Sequence, residues 1–134
     1  MGYESKFYAV REYNFASYQL PEYKASEIIA MLDMCKMGYE DDVNKLLNLF
    51  KNRVPFVLYL EDGCDEKGNA IIRDTVEDCY GKHITYISNE DKEKAIKLVK
   101  EISKRDNYWR FNLLHKFLKM FKDYDDVYIC HYGY

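Results

Sequence analysis

Cys130 and His131 stand side by side in the stretch DVYICHYGY, residues 126–134, and their types could do chemistry. A thiol beside an imidazole is the usual pairing of a cysteine nucleophile with its base. Adjacent residues on a strand point to opposite faces, however, so on a strand these two cannot serve each other. The residues around them read as a strand, with Val127 and Ile129 on one face and Tyr128 and Cys130 on the other. Apolar residues on both faces predict an interior strand, and FVLYL at 56–60 carries the same signature and is expected to pair with it. Cys130 and His131 are therefore expected to be structural.

The second candidate set is acidic. Glu61, Asp62, Asp65 and Glu66 cluster after an apolar run, and Glu77 and Asp78 follow. Paired carboxylates at a strand end can hold a cation or move protons. They also suit turns, and the calcium-loop spacing is missing. A pocket at the strand ends would join Glu61 and Asp62 to His131 and Tyr132 as convergent polar groups. The sequence has no glycine-rich phosphate loop, GxSxG elbow, HExxH helix or zinc spacing. No catalytic residue, metal ligand or cofactor is assigned.

The third set is basic. Residues 92–122 carry ten Lys or Arg against three acids, whereas residues 1–91 carry ten against seventeen. Lys97, Lys100, Lys104, Lys116 and Lys119 could meet a phosphate backbone. The overall charge of −3 works against long-range attraction to nucleic acid. The 14 tyrosines suit base stacking and protein contacts equally. The four cysteines are scattered, with no CxxC pair, and read as free thiols of a reducing compartment.

These residues must be positioned by one domain of 134 residues, long enough to bury a core. Residues 6–13 alternate as a strand, with Phe7 and Ala9 on one face and Tyr8 and Val10 on the other. A loop follows at 14–23. Residues 26–37 fit a helix through Ile28, Met31, Leu32 and Cys35, and equally a strand with Ala30, Leu32 and Met34 on one face. Residues 41–52 read as a helix on Val43, Leu46, Leu47 and Phe50. Residues 54–63 read as a central strand, 64–70 as a turn, and 71–87 as two short strands around YGK. Residues 89–106 predict a helix capped by Ser88 or Asn89, with an apolar stripe of Ala95, Ile96, Val99 and Ile102. A further helix over 108–124 would bury Trp109, Leu113, Phe117 and Phe121. The elements are mixed without a βαβ rhythm. That predicts a single α+β domain, mainly an antiparallel sheet of about four to six strands with two to four helices packed on it.

No apolar run approaches the roughly 20 residues of a membrane span. The opening MGYESKFYAV carries no secretory pattern, so a cytoplasmic protein is expected. Five stretches, YESKFYAV, LDMCKMGY, LYLEDG, EDCYGKHITY and HYGY, together resemble small proteins encoded by phages and prophages of Firmicutes. CDEKGNAIIRDTV is longer than that resemblance leads one to expect. None of the stretches is a mechanistic signature, so no functional residue is carried over. The resemblance implies a bacterial host cytoplasm and action by binding host proteins, defence proteins among them.

The expected function is that of a non-catalytic interaction protein that binds a host or phage macromolecule through its acids. A protein partner is expected first. A nucleic-acid accessory protein using the basic helices, or a small-molecule site at the strand ends, are the alternatives.

Overall fold

The computed structural model describes residues 4–13, 25–38 and 40–133. The loop expected over 14–23 lies outside the described residues. Strand β1 (Ser5–Tyr13) alternates as its sequence requires: Phe7 and Ala9 enter one apolar cluster, Tyr8 and Val10 a second on the opposite face. The ambiguous segment is a strand, β2 (Ala25–Cys35), antiparallel to β1. Pairing with β1 satisfies backbone groups that a helix would have bonded internally. A register shift between Ala9 and Val10 changes its parity. Ile28 therefore packs with the second cluster, while Ala30, Leu32 and Met34 pack with the first.

After helix α1 (Asp41–Asn48) come β3 (Asn52–Arg53), β4 (Leu58–Cys64), β5 (Ala70–Thr75) and β6 (Thr85–Tyr86). A 3-10 turn at Asn89–Asp91 leads into α2 (Lys92–Arg105), then α3 (Arg110–Phe121) and β7 (Val127–Gly133). The main sheet has five antiparallel strands in the order β2-β1-β7-β6-β3, and β4 and β5 form a separate two-stranded ribbon. This is an α+β domain. No helix among the described residues is long and apolar enough to cross a membrane.

Strand β7 is interior, lying between β1 and β6. Val127 and Ile129 join the cluster under the helices, and Cys130 joins the opposite one, with Tyr128 packed against it. The pairing expected between this strand and FVLYL does not occur. Strand β4 bonds to β5 instead, and Phe56, Leu58 and Leu60 lie face-on over the sheet, with the Phe56 ring 5.1 Å from that of Tyr128. The two segments share an apolar signature because each is buried, not because they are neighbours in a ladder. The molecule therefore has three layers, in the order helices, sheet, ribbon.

Helix α2 buries the expected Ala95, Ile96, Val99 and Ile102. Neither Ser88 nor Asn89 caps it by a side-chain bond; the Ser88 hydroxyl donates to the Asp91 carboxylate at 3.1 Å, inside the preceding turn. Lys92 is buried at the helix start, where burial lowers its pKa. Its ammonium donates to the carbonyls of Tyr124 and Val127, both at 3.3 Å, tying α2 to the entry of β7. In α3 the buried stripe is Phe111, Leu114, Phe117, Leu118 and Phe121. Trp109 and Leu113, expected inside, are exposed. An arc through 111, 114, 118 and 121 buries more apolar surface than one through 109 and 113, and Trp109 precedes the first helical turn.

Cys35, Cys64 and Cys79 are exposed, whereas burial pushes the fully buried Cys130 thiol up in pKa. Reaction needs an accessible thiolate. Titration with an aromatic disulfide reagent should therefore count three thiols in the native protein and the fourth only after denaturation. Four native thiols reacting together would show that β7 is not sealed.

Candidate functional site

A cavity of about 360 Å³ opens at the strand ends between α1 and the sheet, with Asn44, Leu47, Phe50, Asp78, His83 and His131 in its lining. Helix α1 supplies the first two, the isolated bridge of Glu77 with His83 positions the turn, and β7 supplies His131. The His83 ring donates through Nδ1 to the Ile84 carbonyl at 2.9 Å. His131 Nε2 lies 2.8 Å from Ser5 Oγ, which is itself 3.1 Å from Met37 Sδ. The His131 ring is held against Phe7 and Phe50, with centroids 5.0 and 6.0 Å away.

That apolar cage sets the chemistry. Burial lowers the His131 pKa to about 4, so the ring is neutral near pH 7. A base that weak takes up protons poorly at neutral pH. Ser5 is fully buried, where no substrate can reach its hydroxyl. The Ser5–His131 pair resembles half of a hydrolase triad in distance, yet its burial makes it a core contact. Among the described residues no group of three or more His, Cys, Asp or Glu side chains is placed to hold a metal ion.

Two of the acids singled out in the sequence organise turns. The Asp78 carboxylate accepts the amides of Tyr80 and Lys82 at 2.8 and 2.9 Å. The Asp65 carboxylate accepts those of Lys67 and Asn69, both at 2.9 Å, and the Asn69 amide holds its pKa below the usual range. A second cavity, about 260 Å³, lies on the ribbon side and has Lys6, Leu60, Glu61, Arg73, Cys79 and Tyr132 in its lining. There Arg73 Nη2 donates to the Tyr132 hydroxyl at 3.3 Å. His131 and Tyr132 are consecutive on β7 and face opposite ways, so the sheet separates His131 from Glu61. The convergent set expected from the sequence is divided between two cavities; the Asp62 side chain lies outside the described residues.

The surfaces are more distinctive than the cavities. Register pairs Tyr59 with Asp74 and Glu61 with Ile72, and Leu58 and Leu60 turn inward. The ribbon's outer face therefore shows two apolar residues beside two carboxylates. Asp65 and Glu66, in the turn after β4, and Glu77, beyond β5, are exposed as well. Residues 58–78 carry seven acids against two cations.

The helical layer is the reverse. Lys97, Lys100, Lys116 and Lys119 are exposed, with no ion pair among the described residues, whereas Lys104 pairs with Glu101 at 3.3 Å. Burial first, then Lys119 of α3 and Lys100 of α2, holds the His115 pKa low. Along the outside of α3 run Trp109, 57% exposed, Leu113, Lys116 and Met120, 63% exposed. The opposed charges of the sequence become opposed layers of the fold.

Comparison with protein families, curated proteins and solved structures found no match. Tyr59, Ile72 and Asp74 are surface residues that the sequence reading passed over. Their signal was the period-two alternation of YLED against IIRD, hidden because VPFVLYL reads as a strand covered on both faces.

Proposed function

We propose that this chain is a non-catalytic interaction protein that docks through the outer face of the β4–β5 ribbon onto a basic, partly apolar surface of a protein partner. The observation that carries the reading is the in-register set of Tyr59, Glu61, Ile72 and Asp74, exposed together and surrounded by further acids. Carboxylates steer the approach, and the apolar pair supplies contact area that a purely charged surface lacks. In the phage setting that the sequence resemblance implies, the partner is a host protein that otherwise binds nucleic acid, such as a defence protein, and the acidic face occupies its basic site. A pull-down from bacterial lysate tests this with wild type and the double variant Glu61→Lys/Asp74→Lys. A protein retained by wild type at about 50 mM salt should fall at least about tenfold with the variant, and should be released at about 500 mM. Equal recovery on both baits would sink the electrostatic mechanism.

Exposed Lys100, Lys116 and Lys119, without an ion pair among the described residues, favour a second reading, a nucleic-acid accessory role for α2 and α3. Labelled DNA and RNA titrated from about 50 mM salt upward decide it, because phosphate contacts weaken steeply as counterions are added. No binding at the lowest salt removes it.

A further inference from the structure

We infer that this protein self-associates head to tail, the ribbon face of one copy docking on the outer face of α3 of the next. The two surfaces match in kind. Tyr59 and Ile72 offer apolar contact flanked by Glu61 and Asp74; Trp109, Leu113 and Met120 offer apolar contact flanked by Lys116 and Lys119. They match in length as well: α3 has 12 residues and is about 18 Å long, and the seven-residue β4 spans about 23 Å. Each surface is an exposed apolar set, 61% for Ile72 and 63% for Met120, which an aqueous surface leaves costly. Within one molecule the faces cannot meet, because the helices and the ribbon pack on opposite sides of the five-stranded sheet. The contact is therefore between copies and uses a different patch on each partner. Such a heterologous contact repeats: every docked copy still presents one free ribbon and one free helix face, so the product is an open chain or a ring and not a closed twofold dimer. A patch of four residues on the ribbon and five on the helix is smaller than the roughly 20–30 residues a side of a standard interface, so association is weak and shows at high concentration.

Sedimentation of the purified protein tests this independently of any host partner, since no other molecule is present. From about 10 µM to about 1 mM the weight-average mass should rise past that of a dimer at about 50 mM salt, and the rise should shrink at about 500 mM. Two variants then assign the faces: Tyr59→Ser/Ile72→Ser disables the ribbon, and Trp109→Ser/Met120→Ser disables the helix. All four side chains are exposed, so circular dichroism should match wild type. Each variant alone should stay monomeric, and an equimolar mixture should reach the mass of one dimer and stop. Wild type that is monomeric throughout overturns the inference. So does a variant that still associates alone, or a mixture of folded variants that stays monomeric.

Discussion

Deleting residues 127–134 is expected to leave a chain that is insoluble or molten. Strand β7 lies between β1 and β6, so its loss strips β1 of its partners from Ser5 to Arg11. It also removes buried Val127, Ile129, Cys130 and Tyr132 from the clusters on both sides of the sheet, and buried His131 with them. Lys92 loses the Val127 carbonyl and keeps its buried charge. Burial of a large apolar side chain stabilises by roughly 1.5–3 kcal/mol. Several such losses together are comparable to the roughly 5–15 kcal/mol that hold a domain folded. Near-ultraviolet circular dichroism should flatten while far-ultraviolet signal persists, and the thermal transition should lose cooperativity. A truncated protein that melts cooperatively near the wild-type temperature would show that β7 is peripheral.

The second large effect is acid sensitivity with one identifiable source. Burial holds the His131 pKa near 4 in the folded chain, against an ordinary 6.5. The unfolded chain therefore takes up this proton first as pH falls. The folded state loses stability from about pH 6.5 downward and has lost the full increment near pH 4. At about 1.4 kcal/mol per unit, the increment is about 3 kcal/mol. His131→Phe keeps a ring against Phe7 and Phe50, and Met37 Sδ remains as a partner for the Ser5 hydroxyl. Denaturant unfolding of wild type and variant at half-unit pH steps gives the difference, in which the shared carboxylates cancel. That difference should move by about 3 kcal/mol against wild type between pH 6.5 and 4. A flat difference would mean that His131 takes up its proton over the same pH range in the folded as in the unfolded chain.

Both predictions rest on a strand whose burial could be read directly from DVYIC, since period-two alternation with apolar residues on each side needs no tertiary knowledge. Its neighbours could not be read that way. FVLYL and VYIC present the same pattern to sequence reasoning, and whether two buried strands share a ladder or face each other across a layer depends on connections far away in the chain. Residues 26–37 stay open in the sequence for a different reason. Ile28, Met31, Leu32 and Cys35 satisfy a helical stripe, and only pairing with β1, which has its own strong alternation, decides against it. Trp109 and Leu113 were misassigned because α3 carries apolar residues around much of its circumference, so spacing alone admits two arcs. The candidate site was legible as charge and not as geometry. Clustering along the chain picks out the acids and the lysines as groups. That Asp65 and Asp78 bind turn amides, while Glu61 and Asp74 share an exposed face, follows from register.

The ribbon has one further consequence, for motion. Among the described residues β4 and β5 exchange ladder hydrogen bonds only with each other. The Ser26 hydroxyl donates across to the Val57 carbonyl at 2.5 Å and Arg73 Nη2 to the Tyr132 hydroxyl at 3.3 Å, and apolar side chains such as Leu58 and Leu60 supply most of the remaining contact. A unit joined to its neighbour mainly by packing can open without breaking the main ladder, as a cooperative segment with its own smaller free energy. Amide hydrogens of residues 58–75 should exchange with deuterium together and well before those of β1 and β7. Partial opening of that kind would let the acidic face reorient on a partner while the five-stranded sheet stays intact, giving a rigid body with one compliant side.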